Sequence, residues 1–97
     1  MRVFFSPTGR RQFLDAIAYI QRDNLSAAVN FHERAKMTFF RLKKSPESGR
    51  VIPKFPDLPF REVIVGPYRF FYRIKGDTIW IVAAWHSAQL PEEPDIG

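Results

Sequence analysis

The 97-residue chain contains no cysteine. That excludes disulfides and thiolate metal sites, and it fits a reducing compartment. Apolar runs are also short, and none approaches the ~20 residues that span a bilayer. The opening MRVFFSPTGRR lacks the apolar core of a signal peptide, so a cytoplasmic protein with no membrane partner is expected. The only two histidines, His32 and His86, stand far apart in sequence, a poor start for a metal site. There is no glycine-rich phosphate loop, no serine nucleophile elbow, no helix-turn-helix recognition helix and no internal repeat. No motif calls for a cofactor or a metal.

What is abundant is aromatic residues and positive charge. Ten Phe, three Tyr and two Trp provide for a core within a single domain. Fifteen Lys and Arg against ten Asp and Glu give a net charge of +5. Three of the acids, Glu92, Glu93 and Asp95, sit near the C-terminus. The body of the chain is therefore more basic than the net figure, which favours anionic partners. We expect one domain over residues 1–90 and an irregular acidic tail over 91–97.

Residues 2–5, RVFF, read as a strand. Ser6 is a good N-cap and Pro7 suits a first helical position. Phe13, Ala16, Ile17 and Ile20 then recur at helical spacing up to Arg22. Asp23-Asn24 breaks the pattern. A second helix over 25–44, capped by Asn24, carries the stripe Ala28, Phe31, Ala35, Phe39 and Leu42. Phe40 falls off that stripe, which predicts a wider buried face. Arg41, Lys43 and Lys44 cluster in the last turn, where they complement the helix dipole. The short link makes the two helices an antiparallel hairpin.

Ser45-Pro46 stops the second helix. Residues 50–60 contain three prolines, which excludes a central strand and predicts an extended, ordered loop anchored by Ile52, Phe55 and Leu58. Three strands follow, over 60–65, 68–74 and 78–86, joined by tight turns at Gly66-Pro67 and Lys75-Gly76-Asp77. The expected class is α+β, in the order β-α-α-β-β-β, with the helical hairpin packed on one face of an antiparallel sheet. The first strand joins beside the last strand or the middle one.

Alternation along 68–74 places Tyr68, Phe70, Tyr72 and Ile74 on one face, wholly apolar or aromatic and so helix-facing. Arg69, Phe71 and Arg73 then look away from the helices. Arg61, on the neighbouring strand, is expected to join Arg69 and Arg73 in a positive patch on an open sheet face, suited to phosphate or carboxylate. A solvated face of ordinary surface arginines remains the alternative. In that case Arg61 and Arg73 have Glu62 and Asp77 as nearby acids. His86 is a candidate acid or base.

The order and spacing of several elements resemble the RelE/ParE superfamily of type II toxins. These are Ala27-Ala28 opening the second helix, Leu42, Ser45-Pro46 and Gly49-Arg50, then Arg61-Glu62, Pro67-Tyr68-Arg69, Tyr72-Arg73 and a last strand ending in His86. The resemblance covers about residues 2–89 and leans to the ParE-like branch. It implies a toxin of a plasmid-stabilising module, neutralised by a cognate antitoxin.

Two activities follow from it. ParE-like members inhibit DNA gyrase. RelE-like members cut mRNA on the ribosome without metal. By the resemblance, Arg50, Arg61, Arg69 and Arg73 would bind the target or its phosphates, and Arg61, Arg69 and His86 would be catalytic in a nuclease. After His86 the chain reads Ser87-Ala88-Gln89-Leu90, with Gln89 where ParE-like chains often carry arginine. A relative that only binds antitoxin is the third possibility.

Overall fold

The computed structural model describes residues 1–53 and 55–87. The chain runs β1 (Arg2–Phe5), α1 (Pro7–Asp23), α2 (Leu25–Lys44), β2 (Arg50–Val51), β3 (Arg61–Val65), β4 (Tyr68–Lys75) and β5 (Thr78–His86). The helices start where the sequence predicts. Ser6 Oγ accepts from the Gly9 amide and Asn24 Oδ1 from the Ala27 amide, both at 3.0 Å. Each cap satisfies a donor that the first helical turn leaves open.

The sheet order is β1-β5-β4-β3-β2. The fold is α+β, two helices on one sheet. Two details differ from the sequence reading. First, β1 lies beside β5 and parallel to it, so the sheet is mixed rather than antiparallel. The helical hairpin returns the chain to the far side of the sheet, and the following meander walks back towards β1. Second, Arg50 and Val51 pair with Glu62 and Arg61 as a two-residue edge strand. They precede the first of the three prolines, so their ladder hydrogen bonds remain available.

The main core lies between helices and sheet. Phe70 is fully buried there. Phe13 meets it at 5.5 Å and Phe39 at 5.1 Å, both edge-on, an arrangement aromatic quadrupoles favour. Every member of the predicted α2 stripe is buried. Phe40 is not, being 54 % exposed, so α2 buries a narrower face than the sequence suggested.

The reverse face of the sheet is not open. Ile52, Phe71, Val82 and Ala83 form a second buried cluster, with Phe55, Phe60, Trp80 and Trp85 packed against it. The proline-containing segment thus roofs part of this face, which explains its apolar residues. A register shift opposite Phe71 and Tyr72 inserts one extra residue in β5, and as a result Val82 and Ala83 both belong to this second cluster.

Candidate functional site

The register of the sheet decides which candidate side chains meet. Residues directly opposite on neighbouring strands point to the same face. Ile64 pairs with Arg69 and Glu62 with Phe71, while Arg50 pairs with Glu62. Arg50, Glu62, Arg69 and Arg73 therefore share the reverse face. Arg61 pairs with Tyr72 and His86 with Tyr68, so both belong to the helix face.

The expected patch of Arg61, Arg69 and Arg73 on one face is thus corrected. His86, which the resemblance groups with Arg61 and Arg69 for a nuclease, lies on the helix face with Arg61 and across the sheet from Arg69. With two residues in the Gly66-Pro67 turn, Val65 stands opposite Tyr68 and Arg61 opposite Tyr72, and that turn length, which sets the register of a hairpin, places Arg61 on the face of Tyr72 and not on that of Arg69.

Glu62 organises the reverse face. It is buried, with its side chain 1 % exposed, and its Oε1 lies 2.5 Å from Arg50 Nε. Its Oε2 lies 3.8 Å from Arg69 Nη1. A carboxylate buried this deeply needs compensating charge, and the two arginines supply it from opposite sides. Sequence reasoning missed this role, treating Glu62 as a neighbour of Arg61. The signal lay in the alternation, because residue 62 must face away from residue 61.

Arg69 is only 19 % exposed in its side chain, and its guanidinium carbon stands 5.9 Å from the Phe71 ring. Arg73 is exposed and lies over Phe60 at 5.7 Å rather than pairing with Asp77. Aromatic faces attract such cations and hold them extended. Lys75 follows two residues on, exposed and by the same alternation on the same face, a cation the sequence reading left out.

Arg61 does something different. Its Nη1 donates to the Gly49 carbonyl at 2.9 Å and to that of Glu47 at 3.4 Å. Beside it, buried Tyr72 donates to the Pro46 carbonyl at 2.7 Å and accepts from the Gly49 amide at 3.0 Å. Arg61 and Tyr72 together fasten the loop after α2 to the sheet. Burial pushes the Tyr72 phenol above its ordinary pKa, against the opposing pull of the Gly49 amide and the Arg61 charge. A Cβ on Gly49 would come within 2.5 Å of the Tyr72 ring, so this approach requires glycine.

His86 closes β5 at the other end of the sheet, edge-on to Tyr68 at 5.3 Å. Four residues of β4 separate the levels of Arg61 and His86, about 13 Å at the rise of a strand. Gln89 lies outside the described residues. Among the described residues no three His, Asp or Glu side chains stand together as a metal site. No helix among them is long and apolar enough to cross a membrane.

The sequence profile of the family described as ParE toxin of type II toxin-antitoxin system, parDE, matches residues 3–91. The chain belongs to this family. No curated protein matches the chain. The match takes in both helices and all five strands apart from Arg2, and it agrees with two helices packed on a mixed five-stranded sheet. Membership gives the protein a toxin role and an antitoxin as partner.

Proposed function

We propose that this ParE-family toxin acts by binding a protein target, DNA gyrase, through the reverse face of its sheet, and that its cognate antitoxin neutralises it. It would then serve, in the cytoplasm, a module that stabilises a plasmid. The observation that carries this reading is the division of the candidate residues. Phosphodiester cleavage needs its proton-moving and phosphate-holding groups within a few ångströms of one phosphate. Arg61 and His86 stand at opposite ends of the helix face, and Arg69 is on the other side of the sheet. Arg61 is occupied with loop carbonyls.

The reverse face, in contrast, combines exposed Arg73 with Phe60 and half-buried Trp80 and Trp85. Arginine and large aromatics are the residues that anchor protein interfaces. Arg50 and Arg69, braced by Glu62, border the same surface.

The test is a supercoiling assay with purified gyrase. The toxin is expected to inhibit supercoiling, and an Arg69→Ala/Arg73→Ala variant to inhibit much less. Undisturbed supercoiling at a large toxin excess would overturn the proposal. Ribosome-dependent mRNA cleavage by the same preparation would move the chain to the nuclease branch. Absence of growth arrest on expression without antitoxin would leave antitoxin binding as its sole activity.

A further inference from the structure

The reverse face owes its layout to the extra residue in β5. Arg73 stands opposite Trp80 and Arg69 opposite Trp85. The two arginines are an even number of residues apart and the two tryptophans an odd number. In a regular strand residues 80 and 85 would therefore point to opposite faces. Arg69 would meet Ala84, and Trp85 would turn towards the helices. The register shift opposite Phe71 and Tyr72 removes that conflict. The face thus carries two arginine–tryptophan rungs, about 13 Å apart at the rise of a strand.

Both indoles are half-buried. The Trp80 ring lies 5.6 Å from that of Phe4, and Trp85 stands edge-on to Phe71 at 5.4 Å. Tryptophan and arginine are over-represented among the side chains that carry most of the energy of an interface.

A bulge leaves backbone groups without ladder partners, and such groups are costly once buried. β1 cannot serve them, because its pairing with β5 ends at Phe5 and Ile81. Beyond that point the start of α1 takes over as the neighbour of β5. The Ser6 amide donates to the Ile81 carbonyl at 3.0 Å, and the Ser6 hydroxyl reaches the Val82 carbonyl at 3.4 Å. Gln12 Oε1 accepts from the Ala84 amide at 2.8 Å. Ser6 is also the helix cap, whereas Gln12 has no capping role. Gln12 is half-buried and precedes Phe13, whose ring packs on Phe70 at 5.5 Å, so its backbone is anchored.

We propose that Gln12 is a positioning residue for target binding. Its bond to the Ala84 amide fixes the extra residue of β5 and so holds Trp85 opposite Arg69. Gln12 acts through the backbone, from the helix side, on a surface across the sheet. Without it the Ala84 amide loses this acceptor. Moving the extra residue along β5 then turns Trp85 off the reverse face. The proposal rests on the reading of the reverse face as the gyrase-binding surface.

The test compares two variants of the full chain. Gln12→Met keeps the length of the side chain and removes its acceptor; Gln12→Glu keeps an acceptor in place. Affinity for purified gyrase is measured, and the two indoles are followed by fluorine NMR after incorporation of fluorotryptophan. Gln12→Met is expected to shift the Trp85 resonance more than that of Trp80 and to bind gyrase about tenfold more weakly. Gln12→Glu is expected to restore both. In a Trp85→Ala background, itself weakened, Gln12→Met should cost nothing further, because both changes remove the same rung.

An unmoved Trp85 resonance, an unchanged affinity, no restoration by Gln12→Glu, or an additional loss in the Trp85→Ala background overturns the proposal. If Gln12→Met does not fold, Gln12→Asn, one methylene shorter, replaces it in each comparison. Failure of the unmodified chain to bind gyrase overturns the reading of the reverse face, and the target-binding role of Gln12 falls with it. The Trp85 resonance then still shows whether Gln12 holds the bulge, so the two failures are distinguishable.

Discussion

Tyr72 donates its phenolic hydrogen to the carbonyl of Pro46 at 2.7 Å. The same oxygen accepts from the amide of Gly49 at 3.0 Å. One side chain thus closes the turn between α2 and β2. Replacing Tyr72 with Phe would keep the ring and leave both backbone groups without this partner. Each unmet buried group costs about 1–3 kcal/mol, and at this size each kcal/mol moves Tm by about 4–8 °C. A fall of roughly 10 °C is expected by circular dichroism. A change of under about 2 °C would mean the hydroxyl contributes little.

Burial raises the pKa of Tyr72, and of Tyr68, where the neighbouring Tyr19 adds a smaller push in the same direction. The unfolded chain releases these protons near pH 10.0, the folded chain only at higher pH. The stabilisation is therefore fully present below pH 10.0 and is lost as pH rises through the folded values. Melting temperature should hold up to the onset of tyrosine ionisation and then fall. A Tyr68→Phe/Tyr72→Phe variant should lose less over that same alkaline range than the unmodified chain does. Equal alkaline losses in both proteins would refute the assignment.

Glu62 is the one fully buried carboxylate among the described residues. Glu62→Gln preserves its shape and removes its charge, leaving Arg50 and Arg69 without the anion between them. Removing one partner of a fully buried pair costs about 3–5 kcal/mol. Arg50 is more than half exposed and can turn to water, so about 2–3 kcal/mol is expected here. Urea unfolding measures it directly. If the variant is as stable as the parent, the ion triad is not a stabilising element.

These internal contacts show which parts of the fold the sequence exposed. Helix starts were legible because Ser6 and Asn24 cap through local, side-chain-to-backbone bonds. The inward set Tyr68, Phe70 and Tyr72 was legible because strand alternation is a local rule. The placement of Arg61 had to be counted across the Gly66-Pro67 turn, from Val65 opposite Tyr68 to Arg61 opposite Tyr72, because alternation along one strand does not carry it. The roof over the reverse face escaped for a similar reason. Ile52, Phe55 and Phe60 announced burial, while what they bury against is set only when Phe71 and Val82 are brought beneath them.

The split between the faces makes a functional forecast. Arg73 is exposed on the reverse face, whereas His86 lies on the helix face against Tyr68. An Arg73→Glu variant should lose most of its capacity to arrest growth, because it reverses charge at the proposed contact. A His86→Ala variant should keep arresting growth, since proton transfer plays no part in binding. Induced expression with cell counts reports both. Loss of arrest with His86→Ala in a correctly folded protein, and its retention with Arg73→Glu, would reverse the assignment.

Gly9 makes a prediction whose sign is unusual. Glycine to alanine inside a helix normally stabilises by about 1 kcal/mol, because alanine loses less backbone entropy. Gly9 lies in the first turn of α1 and is buried. A Cβ there would overlap the Ile81 carbonyl oxygen. That oxygen already accepts from the Ser6 amide at 3.0 Å, and Ser6 in turn caps the helix through the Gly9 amide. The obstacle is backbone at the β5 bulge, so no side chain can swing aside to relieve it. α1 would have to lift from the sheet, loosening the cap and the docking of Phe13 together. Overpacking of this kind costs about 1–3 kcal/mol, which exceeds the helix-propensity gain. Gly9→Ala should therefore melt several degrees below the parent, and a higher melting temperature would show that α1 can shift along β5 without loss.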